Sequence, residues 1–495
     1  MALVLPTLAC LASGFLLVCV GWSRKGPLPT DLLLRASLSV GYGLGLFSVF
    51  CFLARVCNIR NLVLVDLLVL VLLIAAVVLA WARAAENTTA VSTSNSVQSP
   101  VWFHRVVTSA LVIALCGAFY SAILRVRAYP HGDGWDAFAI WNLHARFLFR
   151  GGSLWRDGFT ALLPWSHPDY PLLLPAGTAH FWTYLGRDDP HVPAVVGFFF
   201  TFATVGILLS ALSILRGRAQ AMLGAIALLA TPSFIEQGAW QYADIPLSFF
   251  YLATIALLCL HDQRAQEASS QPPAGLLALA GMAAGFAAWT KNEGVLFLGA
   301  VILARQLISI RSARRVALAG GKINFARQSG PLLAGSAPLF LLIIYFKHWI
   351  APPGDLFSDP SSMLHKVLDV TRYWAIARWY VKAFLRFGDW LLIPGSLLLI
   401  GFYFLAGKED RRTAQRGFRT SVLALALTLA GYFAVYLITP YDIYWHLRFS
   451  LPRLFLQLWP ATVFLFFLVV RGLSEGVPAG SGERGLDPLR AGECA

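Results

Sequence analysis

The chain has 495 residues, of which 58% are hydrophobic and only 13% charged, whereas a soluble domain carries roughly a quarter charged residues. That balance excludes a soluble globular protein and predicts an all-α polytopic membrane protein. The formal net charge of +14 fits Lys and Arg gathered in loops beside lipid headgroups, and no nucleic-acid motif accompanies it.

A helix needs roughly 20 apolar residues to cross the hydrocarbon. The apolar runs predict about thirteen spans, near 4–22, 32–55, 61–82, 106–125, 192–215, 219–232, 244–260, 274–290, 293–310, 331–349, 389–406, 420–439 and 454–471. Run 219–232 is short. The stretch 274–310 is too long for one helix and breaks at Lys291-Asn292-Glu293-Gly294. The first run lacks a basic start and a cleavage signal and reads as a retained helix. Arg35, near the start of the second span, reads as a snorkelling side chain. The organisation expected is an N-terminal three-helix unit (1–82), a polar cytoplasmic linker (83–105), a main membrane module (106–471) and a disordered cytoplasmic tail (472–495). The sequon Asn87-Thr88-Thr89 falls in the linker and would be silent there. Five of the seven cysteines lie inside apolar runs as small hydrophobic residues; no zinc site and no required disulfide is expected.

Lys and Arg orient the spans. Arg24, Lys25, Arg216, Arg218, Arg311, Arg314, Arg315, Lys322, Arg327, Lys408, Arg411, Arg412, Arg416 and Arg419 all fall on one side, taken as the cytoplasm. The N-terminus is then outside and the C-terminus inside. Two external segments, 126–191 and 350–388, exceed simple turns and mix aromatic with charged residues. That composition predicts amphipathic helices lying in the headgroup plane. The basic residues of 350–388 run against the charge rule, which long segments obey poorly.

Five motifs collect at the external ends of the spans. His131-Gly132-Asp133-Gly134-Trp135-Asp136 opens a predicted interfacial helix that ends at Gly151-Gly152. Its carboxylates suit a general base or a metal ligand, or simply a helix cap. Trp165-Ser166-His167-Pro168-Asp169-Tyr170-Pro171 is stiffened by proline, so His167 and Asp169 would sit on a rigid strut; a loop brace with Asp169 capping the next helix explains it too. In Tyr242-Ala243-Asp244-Ile245-Pro246, Asp244 as a cap with proline in the first turn makes a good helix start. Lys291 and Glu293 lie close to hydrocarbon, where such residues face a cavity or partner unless Lys291 snorkels. In the last motif, Asp442, His446 and Arg448, with Arg453 beyond, exceed what an aromatic belt requires, and the two arginines suit a phosphate.

The many-span layout, the acidic motif in the first large external loop and the following helix through Arg146 to Gly151-Gly152 resemble the GT-C superfamily of membrane glycosyltransferases, which includes the protein O-mannosyltransferases and the aminoarabinose transferases of lipid A. Tyr242-Ala243-Asp244-Ile245-Pro246 and Trp289-Thr290-Lys291 also look like helix starts of bacterial members. Asp136 is followed by Ala137 rather than by a second acid; the nearby acid is Asp133. The resemblance implies an inverting transfer of a sugar from a polyprenyl-phosphate carrier to a glycan, lipid or protein acceptor at the external face, in a bacterial inner membrane. Asp136 or Asp133 would act as base, and Lys291, Arg448 and Arg453 would hold the donor phosphate. His167, Asp169, Tyr242, Asp244, Glu293, Asp442 and His446 would shape the site. No cofactor is required on this reading, although a divalent cation can sit on Asp133 and Asp136. The competing classes are a transporter or flippase, which moves its substrate intact; a polysaccharide polymerase or ligase using a diphosphate carrier; and a non-catalytic scaffold subunit. Transporters use broken helices near the midplane and often repeated topology, and no repeat is visible here.

Overall fold

The computed structural model describes residues 3–22, 29–83, 100–267, 274–318, 325–357, 360–390, 394–413 and 415–472. The sequon at 87–89, most of the linker and the tail from Ser474 lie outside the described residues. The helices in chain order are α1 (Val4–Gly21), α2 (Pro29–Val56), α3 (Leu62–Arg83), α4 (Val101–Ala128), α5 (Asn142–Arg150), α6 (Leu173–Leu185), α7 (His191–Arg216), α8 (Arg218–Leu229), α9 (Pro232–Ala239), α10 (Asp244–Glu267), α11 (Ala274–Thr290), α12 (Asn292–Leu318), α13 (Phe325–Trp349), α14 (Pro360–Leu368), α15 (Val370–Arg386), α16 (Gly395–Ala406), α17 (Asp410–Thr413), α18 (Arg416–Ile438) and α19 (Ile443–Val469). Among the described residues the β pairing consists of an isolated bridge between Lys408 and Val470.

Among the described residues, ten helices are long and apolar enough to cross a membrane. α8 and α9 pass the same test only as a pair, bent by 65° at their break as a broken span or a re-entrant loop, and α11 and α16 are shorter apolar helices. Every predicted run therefore coincides with a helix, although the count of thirteen full spans is not reached. The last span begins at Ile443 rather than near 454, which moves the Asp442–Arg453 motif from a loop onto the first turns of α19. The segment 126–191 holds α5 and α6, and 350–388 holds α14 and α15; of these, α5 and α15 mix apolar with basic residues.

Small residues let these helices approach closely, as lipid-embedded packing requires. A Cβ on Gly14 of α1 would fall 2.6 Å from the backbone nitrogen of Gly43 in α2. α2 also packs along α6 and α7, and α11 lies against α13. Trp289 Nε1 donates to Ser48 Oγ (2.9 Å), whose hydroxyl donates to Leu172 O (3.1 Å), tying α11, α2 and the start of α6. Arg35 does not snorkel. It is 2% exposed, lies 5.0 Å over the Trp22 ring, and donates to Cys19 Sγ.

The chain path sets two polar ends. α4, α9, α11, α13 and α18 finish at one end, where α7, α10, α12 and α19 begin. The opposite end is pinned by the Arg216–Glu409 pair and by Arg305, whose two terminal nitrogens donate to Asp262 at 2.6 and 3.0 Å.

Candidate functional site

Asp244, the first residue of α10, is fully buried. Its Oδ1 accepts from Gln457 Nε2 at 2.6 Å and from Lys291 Nζ at 3.3 Å, and its Oδ2 accepts from Arg453 Nε at 2.8 Å. The carboxylate thus gathers three side chains rather than merely starting a helix. Arg453, about three turns into α19, places Nη2 2.7 Å from Asp244 Oδ2 and 2.7 Å from Asp136 Oδ2. Lys291 Nζ lies 2.8 Å from Glu293 Oε1. Asp136, Arg453, Asp244, Lys291 and Glu293 therefore form one continuous line of alternating charge, drawn from four separate parts of the chain.

Local structure explains each placement. α11 stops at Thr290 and α12 starts at Asn292, so Lys291 occupies the apex of a one-residue hairpin. Only glycine fits at 294, because a Cβ there would fall 2.8 Å from the Ala288 nitrogen. Lys291 is 6% exposed and does not snorkel. Burial pushes its ammonium down, and Asp244 and Glu293 more than offset this, holding it above the ordinary lysine value. Gln241, at φ 63°, donates to Pro130 O (3.0 Å) and accepts from Asn142 Nδ2 (3.0 Å), clamping the first loop to the start of α10. Tyr242 lies under the Arg453 guanidinium at 4.6 Å; burial and the Asp136 charge push its phenol up to about 12. Gly134, at φ 92°, lets the loop pass this phenol: a Cβ would fall 2.5 Å from the Tyr242 hydroxyl.

Asp136 leads into a single π-helical turn, Ala137–Trp141, that continues as α5. Its side chain makes no capping bond; it is 21% exposed and reaches Arg453. Asp133 sits between Gly132 and Gly134, partly buried, and among the described residues makes no hydrogen bond or ion pair. Asp169 does not cap α6, whose first turn has no side-chain cap. It instead accepts from Asn292 Nδ2 (2.8 Å) and Lys347 Nζ (3.2 Å), bracing the proline strut against α12 and α13. His167, at φ 48°, stacks on Tyr170 at 4.7 Å.

Asp133, His167 and Asp169 thus stay outside the line, and so do three predicted residues of the last motif. Asp442 caps α19, accepting from Trp445 N at 2.8 Å. His446 Nδ1 meets Thr439 Oγ1 at 2.9 Å and supports the α18–α19 turn. Arg448 is exposed, with its guanidinium 5.6 Å from the Phe449 ring, and among the described residues it has no ion pair with the line. Sequence reasoning missed Gln457, Asn292, Lys347 and Gln241. Gln457 carried a signal: it lies four residues after Arg453, on the same helix face, in an apolar run. Among the described residues no group of three or more His, Cys, Asp or Glu side chains is arranged to hold a metal ion.

Residues 191–326 match the family model described as dolichyl-phosphate-mannose-protein mannosyltransferase, a GT-C family. The matched stretch runs from α7 into α13 and includes Tyr242, Asp244, Lys291 and Glu293. It supports the resemblance to GT-C membrane glycosyltransferases and a glycosyltransferase activity. No curated protein and no solved structure matches the chain.

Proposed function

We propose that the protein is an inverting glycosyltransferase that moves a sugar from a polyprenyl-phosphate carrier to an acceptor hydroxyl at the external face of a bacterial inner membrane. The observation that carries the reading is the continuous line from the accessible Asp136 to the buried Asp244 and Lys291. Asp136 takes the proton as the acceptor oxygen attacks the anomeric carbon. The bond from that carbon to the phosphate oxygen breaks, and its electron pair leaves with polyprenyl phosphate. Attack opposite the leaving group inverts the centre, so no covalent sugar–enzyme adduct is needed.

The charge count refines these roles. Asp136, Asp244 and Glu293 outnumber Arg453 and Lys291 by one. A carboxylate-rich site favours a sugar that gains positive, oxocarbenium-like charge as the bond breaks. The departing phosphate needs donors that protein acceptors have not already taken. Arg453 supplies one: among the described residues no acceptor meets its Nη1. Asp244 acts by holding Arg453 and Lys291 in place before substrate arrives. The basic residues at the opposite end, among them Arg216, Arg305 and Arg419, support placing that end in the cytoplasm. Donor sugar and acceptor are to be identified by mass spectrometry of lipid-linked sugars and envelope glycans with and without the gene.

The direct test is release of polyprenyl phosphate from a labelled lipid-linked sugar by membranes containing the protein. Asp136→Asn should abolish release and transfer while leaving expression intact. Full activity in both Asp136→Asn and Asp133→Asn removes the base from the mechanism. Intact movement of the substrate without release of polyprenyl phosphate establishes a transporter instead.

A further inference from the structure

The phenol of Tyr170 enters none of the roles above. It is partly buried on the proline strut, between α5 and α6. Its ring is fixed on several sides: it stacks on Trp141 at 5.6 Å and on His167 at 4.7 Å, and Lys291 Nζ stands 5.9 Å from its centre. Its backbone nitrogen donates to His167 O at 2.9 Å, which fixes the turn. The hydroxyl lies in the field of Glu293, Asp169, Asp136 and Arg453, yet among the described residues it has no hydrogen-bond partner. Burial and the three carboxylates keep it protonated well above the ordinary tyrosine range. A rigid ring therefore presents an O–H donor, with no acceptor among the described residues, near Lys291 and in the field of Arg453.

Resting on the glycosyl-transfer reading, we infer that the Tyr170 hydroxyl is a further catalytic group that donates a hydrogen bond to a phosphoryl oxygen of the polyprenyl phosphate as it departs. Phosphate is the ligand chemistry that fits. The ring lies near Lys291 and in the field of Arg453, and the hydroxyl keeps a proton to donate over the working pH range. The ring is held before substrate binds, so the donor incurs little ordering cost when charge develops on the phosphate.

The test uses Tyr170→Phe, which keeps the ring and both stacking contacts, in the full chain reconstituted in lipid. The measurements are kcat, the KM of donor and acceptor, the thermal midpoint, and inhibition by a polyprenyl monophosphate lacking the sugar. A hydrogen bond to a charged group predicts a fall in kcat of about tenfold or more and a comparable weakening of polyprenyl monophosphate inhibition. Acceptor KM and the thermal midpoint should stay unchanged. Tyr170→Leu, which also loses the stacking, should lower the thermal midpoint as well. Unchanged kcat and unchanged inhibition in Tyr170→Phe overturn the inference while leaving the transferase reading standing. A loss confined to acceptor KM also overturns it, since the phenol would then serve the other substrate. A wild-type protein that neither transfers nor binds polyprenyl monophosphate overturns the donor assignment itself, and the Tyr170 role with it.

Discussion

Asp244→Asn tests whether the buried carboxylate is the hub that its contacts describe. The side chain is fully buried and holds Gln457, Lys291 and Arg453 at 2.6, 3.3 and 2.8 Å. A charge pair at about 3 Å in an effective dielectric near 20 is worth roughly 5 kcal/mol before desolvation. Removing one partner of a buried pair costs about 3–5 kcal/mol net. Arg453 keeps Asp136 and Lys291 keeps Glu293, so the lower end, about 3 kcal/mol, applies. The assay is thermal or chaotrope unfolding of the purified protein in detergent, alongside sugar transfer. Asp244→Asn should lower stability by that amount and abolish transfer. Adding Lys291→Met should cost less than the sum of the two single changes, with a coupling of about 1–2 kcal/mol, because the second change removes a cation already deprived of its partner. Additive losses, or a wild-type midpoint in Asp244→Asn, would refute the hub.

Three further outcomes follow from other contacts. Burial and the neighbouring His167 depress His144 to about 3, against an ordinary 6.5, although Asp169 opposes them. Its folded form therefore binds fewer protons than its unfolded form between those values. Stability is full above about pH 6.5 and declines as pH falls towards 3, by up to roughly 1.4 kcal/mol per pH unit. His144→Gln should flatten that part of the unfolding profile, and an unchanged slope contradicts the assignment. In the buried Asp66–His180 contact (2.8 Å), His180→Phe should cost about 1–3 kcal/mol in the same unfolding measurement, since Asp66 loses a buried hydrogen bond and keeps the Tyr184 hydroxyl at 2.6 Å. Transfer should survive chelation of divalent cations, because Arg453 and Lys291 already supply the positive charge; loss of activity in chelator, restored by one divalent ion, would instead assign Asp133 and Asp136 to a metal.

Apolar run length was enough to locate the helices, since crossing hydrocarbon forces every backbone group into internal hydrogen bonds. The break at Lys291-Asn292-Glu293-Gly294 was readable because 274–310 is too long for one span and charges are costly in hydrocarbon, although Glu293 and Gly294 fall in the first turn of α12. The start of α19 was not readable, because Ile443–Phe449 carries His446 and Arg448 and looks like a loop while in fact turning as helix. Roles within motifs were harder still. Asp442 and Asp244 each precede or open a helix, and spacing cannot separate them. One caps its own helix, whereas the other is met by Arg453 and Gln457 from 209 and 213 residues away. Lys347 and Asn292 escaped notice because their common partner, Asp169, is brought to them by tertiary packing.

Among the described residues several buried clusters carry charge, and a comparison of three shows that burial alone does not mark a site. Arg305 donates to both oxygens of Asp262 while His261 Nδ1 meets the same carboxylate at 2.7 Å, so that cluster closes on itself as a brace between α10 and α12. In the second, His180 places one ring nitrogen 2.8 Å from Asp66 and the other 2.8 Å from Phe47 O, again leaving no ring nitrogen over. The third differs in kind. Its carboxylate hub is saturated, but its edge is not: Arg453 Nη1 and the Tyr170 hydroxyl are donors without a protein acceptor, and Asp133 is an acceptor without a protein donor, among the described residues. Donors and acceptors left open beside a closed electrostatic core are free to meet a ligand. A substrate that brings both an anion and a hydroxyl can meet them, and of the three clusters compared this one leaves such groups open.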